Sequence, residues 1–293
     1  MSQQQPTVAV LGLGAMGHAF AANLIKKGFN TRIWNRTASR GDDLVKAGAT
    51  RGRTPRETAE GADVVITMLS DGKTSLYVYQ GDNGLLAGLK QGGIIAQMGT
   101  LGVDATESLM ALIKTLRPDV VFFDAPVSGT KAPAEQAQIV VLASGDREAG
   151  AAIEPVFAAI SKATKWLGEA GRASKMKLVV NAWLIAMMEG IAETTQLAEA
   201  LGFTPDDLWN VLEGGPLAAP YIRGKMEMFK SGDYTPQMQL TWALKDINLA
   251  LEAGSNLELP VMKRISQTWQ GAVDGGYGGK DLAVVYHYLG NKS

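Results

Sequence analysis

Short apolar runs rich in β-branched residues alternate with helix-length segments through the first half of the chain. Six runs are strand-like, at residues 7–11, 31–34, 64–69, 94–97, 120–123 and 139–143. Ala- and Leu-rich segments with helical periodicity lie between them, for example at residues 16–27, 39–47 and 105–116. Strands separated by helices predict βαβ units and a mostly parallel, doubly wound sheet. We therefore predict an α/β domain over residues 1–165.

The second half of the chain has a different pattern. From residue 171 onward no run is strand-like, and the helical periodicity is broken at Gly202, at residues 214–216, near Pro236 and at Gly254. Gly and Pro commonly interrupt helices, so these positions mark the connections between successive helices. The pattern predicts an all-helical domain over residues 166–293.

One segment at the start of this second domain is unusually long. Residues 172–201 contain no Pro and a single interior Gly, Gly190, so they can form a helix about 45 Å long. The middle of the segment, LVVNAWLIAMM, is apolar on every side, which is typical of a helix buried all round. We expect this helix to pack between the domains and against a second subunit, the alternative being the core helix of one domain.

Composition limits the possible functions. The 28 Lys and Arg nearly balance the 29 Asp and Glu, so no overall field attracts nucleic acid or an anionic membrane. The chain has no Cys and only two His, which excludes disulfides, thiolate nucleophiles and a multi-His metal site. The longest apolar stretch has eleven residues, and the polar residues 1–5 do not resemble a signal peptide. We expect a cytoplasmic protein.

Charged residues are scarce for a chain of this size. They make up 19% of the 293 residues, against about 25% in ordinary globular proteins. A shortage of solubilising charge suggests that more surface is buried than one monomer needs. We therefore expect a homodimer, with a tetramer as the larger alternative.

The most informative local motif is the glycine-rich sequence GLGAMG. It follows the first strand-like run, opens the first predicted helix, and precedes the end of the next strand by 21 residues, counted from Gly14 to Asn35. In such a turn the first Gly allows the tight bend, the second allows close approach of a pyrophosphate, and the third allows helix and strand to pack. The predicted dinucleotide-binding residues of this turn are Gly12, Leu13, Gly14, Ala15, Met16 and Gly17.

The end of the second strand indicates which dinucleotide binds. NAD-binding sites normally have Asp or Glu there, to accept from the ribose 2′-hydroxyl. This chain has Asn35 instead, followed by Arg36, Thr37 and Arg40. An amide, guanidinium groups and a hydroxyl can hold a 2′-phosphate that a carboxylate would repel. We predict NADP as the cofactor; the alternative is that the arginines are ordinary surface charges.

Three further segments follow strands at the edge where ligands bind in open α/β sheets. They contain Met68 and Leu69, then Thr100, then Ser128, Gly129 and Thr130. The polar turn at 128–130 can offer a hydroxyl and N–H groups to a carboxylate or carbonyl, although an ordinary loop is an equal alternative. Asp124, which precedes this turn, either anchors the loop or takes part in chemistry.

A lysine and an asparagine share one face of the long predicted helix. Lys177 and Asn181 are four residues apart, so their side chains are neighbours. A lysine near a helix N-terminus meets an unfavourable dipole, which should lower its proton affinity and suit it to donate a proton near neutral pH. The alternative is that Lys177 extends its amine to solvent.

These motifs together resemble the β-hydroxyacid dehydrogenase family, which includes 3-hydroxyisobutyrate dehydrogenase. The resemblance rests on LGLGAMG, WNRT, DAPVSG and KxxxN, and it extends over nearly the whole chain to Lys245-Asp246 and Lys280-Asp281. The sequences SGTKAPAE and SKMKLVVN are most similar to the glyoxylate/succinic semialdehyde reductase branch. The resemblance implies a two-domain fold, with a Rossmann-type domain and a helical domain joined by a long helix. It also implies that the helical domain serves substrate binding and dimerisation.

The resemblance also implies roles. Lys177 would be the general acid in reduction of a small carbonyl or semialdehyde, and Asn181 would orient the substrate and the lysine. Ser128 and Gly129 would bind the substrate carboxylate, and Thr100 would line the nicotinamide and substrate pocket. Lys245 would lie near the cofactor, with Asp246 beside it.

Some positions depart from the family pattern. Thr130 replaces a common Gly, Met238 stands where the branch commonly has an aromatic residue, and Trp242 could reshape the pocket. These departures keep open an imine reductase, which shares the architecture but usually lacks the catalytic lysine. A non-catalytic NADPH-binding module is the third alternative.

Overall fold

The computed structural model describes residues 5–291. The outer bounds of the two predicted domains, at residues 1 and 293, and most of the polar residues 1–5 therefore lie outside the described residues. The chain forms two compact units, the first ending at Lys177 and the second beginning at Leu178.

The first unit is built on a six-stranded, fully parallel sheet. Its order is β3-β2-β1-β4-β5-β6, so the chain reverses its direction of travel across the sheet after β3. The strands are β1 Val8–Leu11, β2 Thr31–Trp34, β3 Thr50–Arg51, β4 Val64–Thr67, β5 Ile94–Gln97 and β6 Val121–Asp124. This confirms the predicted doubly wound α/β fold, in which ligands bind outside the carboxyl ends of the strands at the reversal point.

Helices cover both faces of this sheet. Alternation along β1 shows the arrangement, because Val8 and Val10 belong to one apolar core and Ala9 and Leu11 to the other. All four are fully buried, as expected for a parallel strand covered on both faces. The helices of this unit are α1 Ala15–Lys26, α2 Asp42–Lys46, α3 Pro55–Ala59, α4 Gly72–Tyr79, α5 Leu85–Gly88, α6 Val103–Leu116, α7 Lys131–Glu135 and α8 Glu154–Ile160.

A second, smaller sheet follows the first, which the sequence pattern did not separate. It consists of β7 Val127–Ser128, β8 Ile139–Ala143 and β9 Ser161–Trp166, with β7 antiparallel and β9 parallel to β8. The run at 139–143 was predicted to belong to the same series as the first five, whereas it forms the centre of this sheet. β9 was missed because its lysines interrupt the apolar pattern.

The second unit is helical. Its helices are the greater part of α9 Arg172–Ala200, then α10 Pro205–Leu212, α11 Pro220–Ser231, α12 Leu240–Ala253, α13 Pro260–Ala272 and α14 Val285–Gly290. Between residues 171 and 291 the structure contains no strand, only an isolated bridge between Gln239 and Asp281. The predicted breaks at Gly202, 214–216, Pro236 and Gly254 all fall between helices.

Within one chain the long helix α9 is buried on one face and exposed on the other. Leu178 and Ile185 are buried, but Val179 is 63% exposed, Trp183 65% and Leu197 58%. The periodicity was ambiguous because the residues on the exposed face are as apolar as those on the buried face.

Candidate active site

Two of the three glycines in the turn after β1 are required by the packing of the protein itself. Gly12 has φ +98°, and a Cβ there would lie 2.3 Å from the carbonyl oxygen of Met68. A Cβ at Gly17 would lie 1.9 Å from the carbonyl oxygen of Gly12. The first glycine therefore makes the bend and the third lets α1 approach the turn, which are the roles that the motif predicts.

Gly14 is different, since the packing of the chain does not require it. It is the residue before α1, and a Cβ built there meets no described atom within 4 Å. Gly14 provides no side-chain cap to the first turn of α1, so the backbone N–H groups at this positive helix end are not capped by their own N-cap residue. This arrangement fits a dinucleotide pyrophosphate, which helix N-termini of this kind bind. Leu13, Ala15 and Met16 complete the turn.

Asn35 is held by the glycine-rich turn. Its Oδ1 accepts a hydrogen bond from the backbone N–H of Leu13 at 2.9 Å, and its Nδ2 donates to the carbonyl oxygen of Thr37 at 2.9 Å. The side chain therefore braces the turn and the loop after β2. Arg36, Thr37 and Arg40 are exposed on that loop. Within this group the exposed guanidinium groups, more than the amide, are available to a 2′-phosphate.

The loops after β4 and β5 pack directly against each other. A Cβ at Gly99 would lie 2.3 Å from the carbonyl oxygen of Leu69. The Gln97 side chain, which the sequence reasoning missed, accepts from Gly99 N–H at 2.7 Å and donates to the Gly99 carbonyl at 2.8 Å. Met68 and Thr100 are half-buried at this edge. The sequence signal that could have identified Gln97 is its place as the polar last residue of an otherwise apolar strand.

Residues 128–130 lie on the small sheet. Ser128 is half-buried in β7 opposite Val140. Gly129 has φ +139°, and a Cβ there would lie 2.7 Å from Ile139 Cγ2, so both conformation and packing require glycine. Thr130 immediately precedes α7. The turn therefore has a defined shape, and it is not an ordinary flexible loop.

Asp124 does not anchor that turn. The Asp124 carboxylate, fully buried, accepts hydrogen bonds from the backbone N–H and the hydroxyl of Ser174 at 2.7 and 2.6 Å. Burial raises the pKa of Asp124, while these hydrogen bonds act in the opposite direction. The residue that sequence could not assign therefore holds the first turn of α9.

Lys177 and Asn181 both lie on the buried face of α9, 8% and 2% exposed. Asn181 Nδ2 donates to Asp246 Oδ2 at 2.5 Å, and Lys245 Nζ lies 3.0 Å from Asp246 Oδ1. Asp246 is itself buried. Because its carboxylate takes the amide N–H of Asn181, the amide orientation is determined by α12. Sequence reasoning could not reveal this contact, which joins residues 65 apart.

Trp242 lies in the first turn of α12, and Met238 lies two residues before that helix begins. Met238 is half-buried and its backbone N–H donates to Asp281 Oδ2 at 3.2 Å, while Trp242 is 43% exposed. Lys225 Nζ donates to Asp281 Oδ1 at 2.6 Å, and both charged groups are buried. The ion pair therefore anchors the backbone that presents Met238.

Two classes of site receive no support within residues 5–291. The side chains there form no group of three or more His, Asp or Glu arranged to hold a metal ion. None of the helices in that range combines the length and apolar character that a membrane crossing requires.

Family models match both units. Residues 7–168 match the NAD-binding domain of 6-phosphogluconate dehydrogenase, and residues 171–289 match the model described as NAD-binding of NADP-dependent 3-hydroxyisobutyrate dehydrogenase.

Individual proteins agree with the family models. Glyoxylate/succinic semialdehyde reductase 1 of Arabidopsis thaliana is 35% identical over 95% of this chain and 96% of its own. Human cytokine-like nuclear factor N-PAC is 32% identical, with 95% of this chain covering 50% of that protein. A crystal structure of 3-hydroxyisobutyrate dehydrogenase from Salmonella typhimurium superposes with a TM-score of 0.87 at 23% identity, covering 97% of this chain and 100% of the other. A structure of a reductive aminase from Aspergillus terreus in complex with NADPH and ethyl levulinate superposes with a TM-score of 0.63 at 24% identity. The match covers 98% of this chain and 100% of the other. Both structural likenesses concern the fold alone.

The fold and the glycine-rich turn define an NAD(P)-dependent oxidoreductase. More narrowly, the chain belongs to the β-hydroxyacid dehydrogenase family, of the 3-hydroxyisobutyrate dehydrogenase-like kind. The resemblance inferred from the motifs is thereby confirmed.

Proposed function

We propose that this enzyme uses NADPH to reduce a small aldehyde, semialdehyde or 2-oxo acid to the hydroxy acid, or runs the reverse reaction. The observation that carries the proposal is the buried pair Lys177 and Asn181 on one face of α9, with Asn181 held by Asp246. The 35%-identical relative, by name a glyoxylate/succinic semialdehyde reductase, supports this substrate class.

In the proposed reduction the cofactor and each site residue have separate roles. When bound, the reduced nicotinamide supplies the hydride for the carbonyl carbon. Lys177 donates a proton from Nζ to the carbonyl oxygen, so that C=O becomes CH–OH, and solvent returns the proton to the amine. The ammonium also stabilises negative charge that develops on that oxygen. Ser128 and Gly129 bind the substrate carboxylate, Thr100 lines the pocket, and Asn181 orients the substrate.

Lys177→Ala tests the catalytic role. We expect kcat to fall about 10²–10⁴-fold, the usual contribution of a positioned general acid, while NADPH binding measured by nicotinamide fluorescence stays unchanged. Lys175→Ala is the matched control, because Lys175 lies on the same helix but is exposed and paired with Glu107. Near-normal turnover by the Lys177 variant would remove this lysine from the mechanism.

The preference for NADPH is part of the proposal. The exposed Arg36, Thr37 and Arg40 after β2 support it. The double variant Asn35→Asp with Arg36→Leu should shift the ratio of kcat/KM values toward NADH. An Asp at position 35 can still accept from Leu13 N–H, so the glycine-rich turn should stay intact, although the bond donated to the Thr37 carbonyl is lost. An unchanged ratio would contradict the assignment.

Imine reduction is the second candidate, supported by the likeness of the fold to a reductive aminase. The presence of Lys177 and of the intact DAPVSG sequence favours the carbonyl reaction. A screen of NADPH oxidation with glyoxylate, succinic semialdehyde, tartronate semialdehyde and a cyclic imine distinguishes the two. Binding of NADPH without oxidation by any substrate would instead support a non-catalytic module.

We also propose a homodimer, with a tetramer as the larger alternative, formed through the exposed apolar face of α9. Val179, Trp183 and Leu197 on that face are each more than half exposed in the single chain, which is costly for large apolar side chains. Trp183→Glu should give a monomer in light scattering after gel filtration. Leu257→Glu, at an exposed apolar position outside this face, is the control. A wild-type monomer at micromolar concentration would contradict the proposal.

The division at residues 165 and 166 and the cytoplasmic location remain predictions as well. Limited proteolysis with mass spectrometry tests the division, and fractionation of expressing cells tests the location.

A further inference from the structure

The first turn of α9 receives its caps from distant parts of the chain. Gly171, the residue before α9, has φ +91° and no side chain, so it cannot accept from the N–H groups of the first turn as an N-cap side chain would. Ser144 Oγ accepts from Ala173 N–H at 3.0 Å, and Asp124 Oδ2 accepts from Ser174 N–H at 2.7 Å. Two orphan donors of the helix are thus satisfied from the carboxyl ends of β6 and β8.

A second set of bonds fixes the rotation of this turn. Ser174 Oγ donates to Asp124 Oδ1 at 2.6 Å and lies 3.2 Å from Thr106 Oγ1. Thr106 in turn donates to the Gly102 carbonyl at 2.7 Å. Asp124, Ser144, Thr106 and Ser174 are all buried. The backbone and the side chain of Ser174 are therefore both held by Asp124, which restrains the turn in translation and rotation.

Lys177 lies on the same face as this anchor. Ser174 and Lys177 are three residues apart on α9, and side chains at that spacing are neighbours. The amine of a lysine lies at the end of four rotatable bonds, so its position depends on where the helix places the Cα and on the buried surroundings. A shift of about 1 Å in catalytic geometry can cost on the order of 100-fold in rate.

We propose that Asp124 is a positioning residue for Lys177. It acts as an external N-cap that holds the first turn of α9, and it thereby sets the position of the Lys177 amine. The inference rests on the proposed role of Lys177 as proton donor. It assigns to Asp124 no proton transfer and no contact with the substrate.

Two substitutions separate cap geometry from loss of the side chain. Asp124→Asn retains an oxygen that can accept from Ser174 N–H, and the hydroxyl of Ser174 can turn to accept from the new amide. Asp124→Ala removes the cap completely. We expect Asp124→Ala to lower kcat about 10–100-fold with the KM for NADPH within about twofold, and Asp124→Asn to keep kcat within about threefold of wild type. Recovery by the asparagine separates positioning by the cap from an effect of charge.

A control and a second readout separate positioning from general destabilisation. Thr54 caps α3, its Oγ1 accepting from Glu57 N–H at 3.0 Å, so Thr54→Ala removes a comparable cap away from the proposed site and should leave kcat unchanged. In the cofactor-free protein, the rate at which acetic anhydride labels Lys177 relative to Lys175 is measured by mass spectrometry. We expect this ratio to rise at least threefold in Asp124→Ala and to stay near wild type in Asp124→Asn.

The outcomes are distinguishable. Wild-type kcat and labelling in Asp124→Ala, or an equal loss in Asp124→Asn, would overturn the positioning role. If Asp124→Ala does not fold, Ser174→Ala is measured instead, because it removes the hydroxyl bond to Asp124 that fixes the rotation of this turn. We expect the labelling ratio to rise in this variant, and an unchanged ratio would overturn the part of the role that depends on this bond. Turnover that survives Lys177→Ala would instead contradict the proposed function, and the labelling ratio would still test the placement of the amine.

Discussion

Gly14→Ala and Gly17→Ala should separate cofactor binding from folding, although each adds one methyl group to the same turn. At Gly17 the new carbon would lie 1.9 Å from the Gly12 carbonyl oxygen and 3.3 Å from Met68 Cβ. Ordinary contact requires more than 3 Å, so backbone must move by over an ångström. Overpacking of this kind lowers the free energy of unfolding by about 1–3 kcal/mol or more. Each kcal/mol lost lowers the thermal midpoint by roughly 2–4 °C.

At Gly14 the same methyl meets no described atom within 4 Å. The free energy of unfolding should therefore change by less than about 1 kcal/mol. The methyl does occupy the space that we assign to the pyrophosphate. We expect the Kd for NADPH to rise about 10–100-fold, equivalent to about 1.4–2.8 kcal/mol.

The assay compares the thermal midpoint of the cofactor-free protein with the Kd from nicotinamide fluorescence. Gly14→Ala should change only the Kd for NADPH, and Gly17→Ala should lower the thermal midpoint. Wild-type affinity in Gly14→Ala would refute the placement of the pyrophosphate. An undiminished midpoint in Gly17→Ala would refute the packing argument.

Further predictions concern buried charges in the helical unit. Burial raises the pKa of Glu189 to about 7 from its usual 4.5, with nearby Glu193 adding to the rise, while the hydrogen bond from Trp269 Nε1 at 2.6 Å opposes it. The folded protein thus retains a proton that the unfolded chain releases, so stability falls as pH rises from about 4.5 to 7, by about 3 kcal/mol. Glu189→Gln should flatten this dependence in urea titrations, and an unaltered slope would contradict the assignment. Lys225→Met leaves the Asp281 carboxylate buried, and should cost about 3–5 kcal/mol in the same titrations. Adding Asp281→Asn should recover part of the loss; additive losses would show that the two groups do not interact.

The fold of the first unit was largely predictable from sequence, because each core strand of a doubly wound sheet is a short apolar run between helices. Runs at 31–34 and 94–97 agree with β2 and β5 in both bounds. The run at 64–69 ends earlier, at Thr67, where the chain leaves the sheet. β3 has two residues, and residues as few as these give no periodic signal.

The predictable part of the site consists of residues close in sequence. Gly12 and Gly17 have the roles that motif spacing assigns to them, since a turn and its following helix are local structure. The partners of Asn35 and Asn181 were not predictable. Asn35 accepts from Leu13, 22 residues away, and Asn181 donates to Asp246, 65 residues away. Only chain topology decides such pairs.

The sequence by itself determined the class of fold, the helical character of the second unit and the family, because hydrophobic periodicity and glycine spacing are local properties of a chain. The tertiary structure decided what the polar residues do. Asp124 could equally have anchored a loop or served in catalysis, and the structure places its carboxylate on the first turn of α9. A buried carboxylate is satisfied by whichever donors the fold brings within 3 Å, and residues 50 positions apart meet there only after the chain has folded.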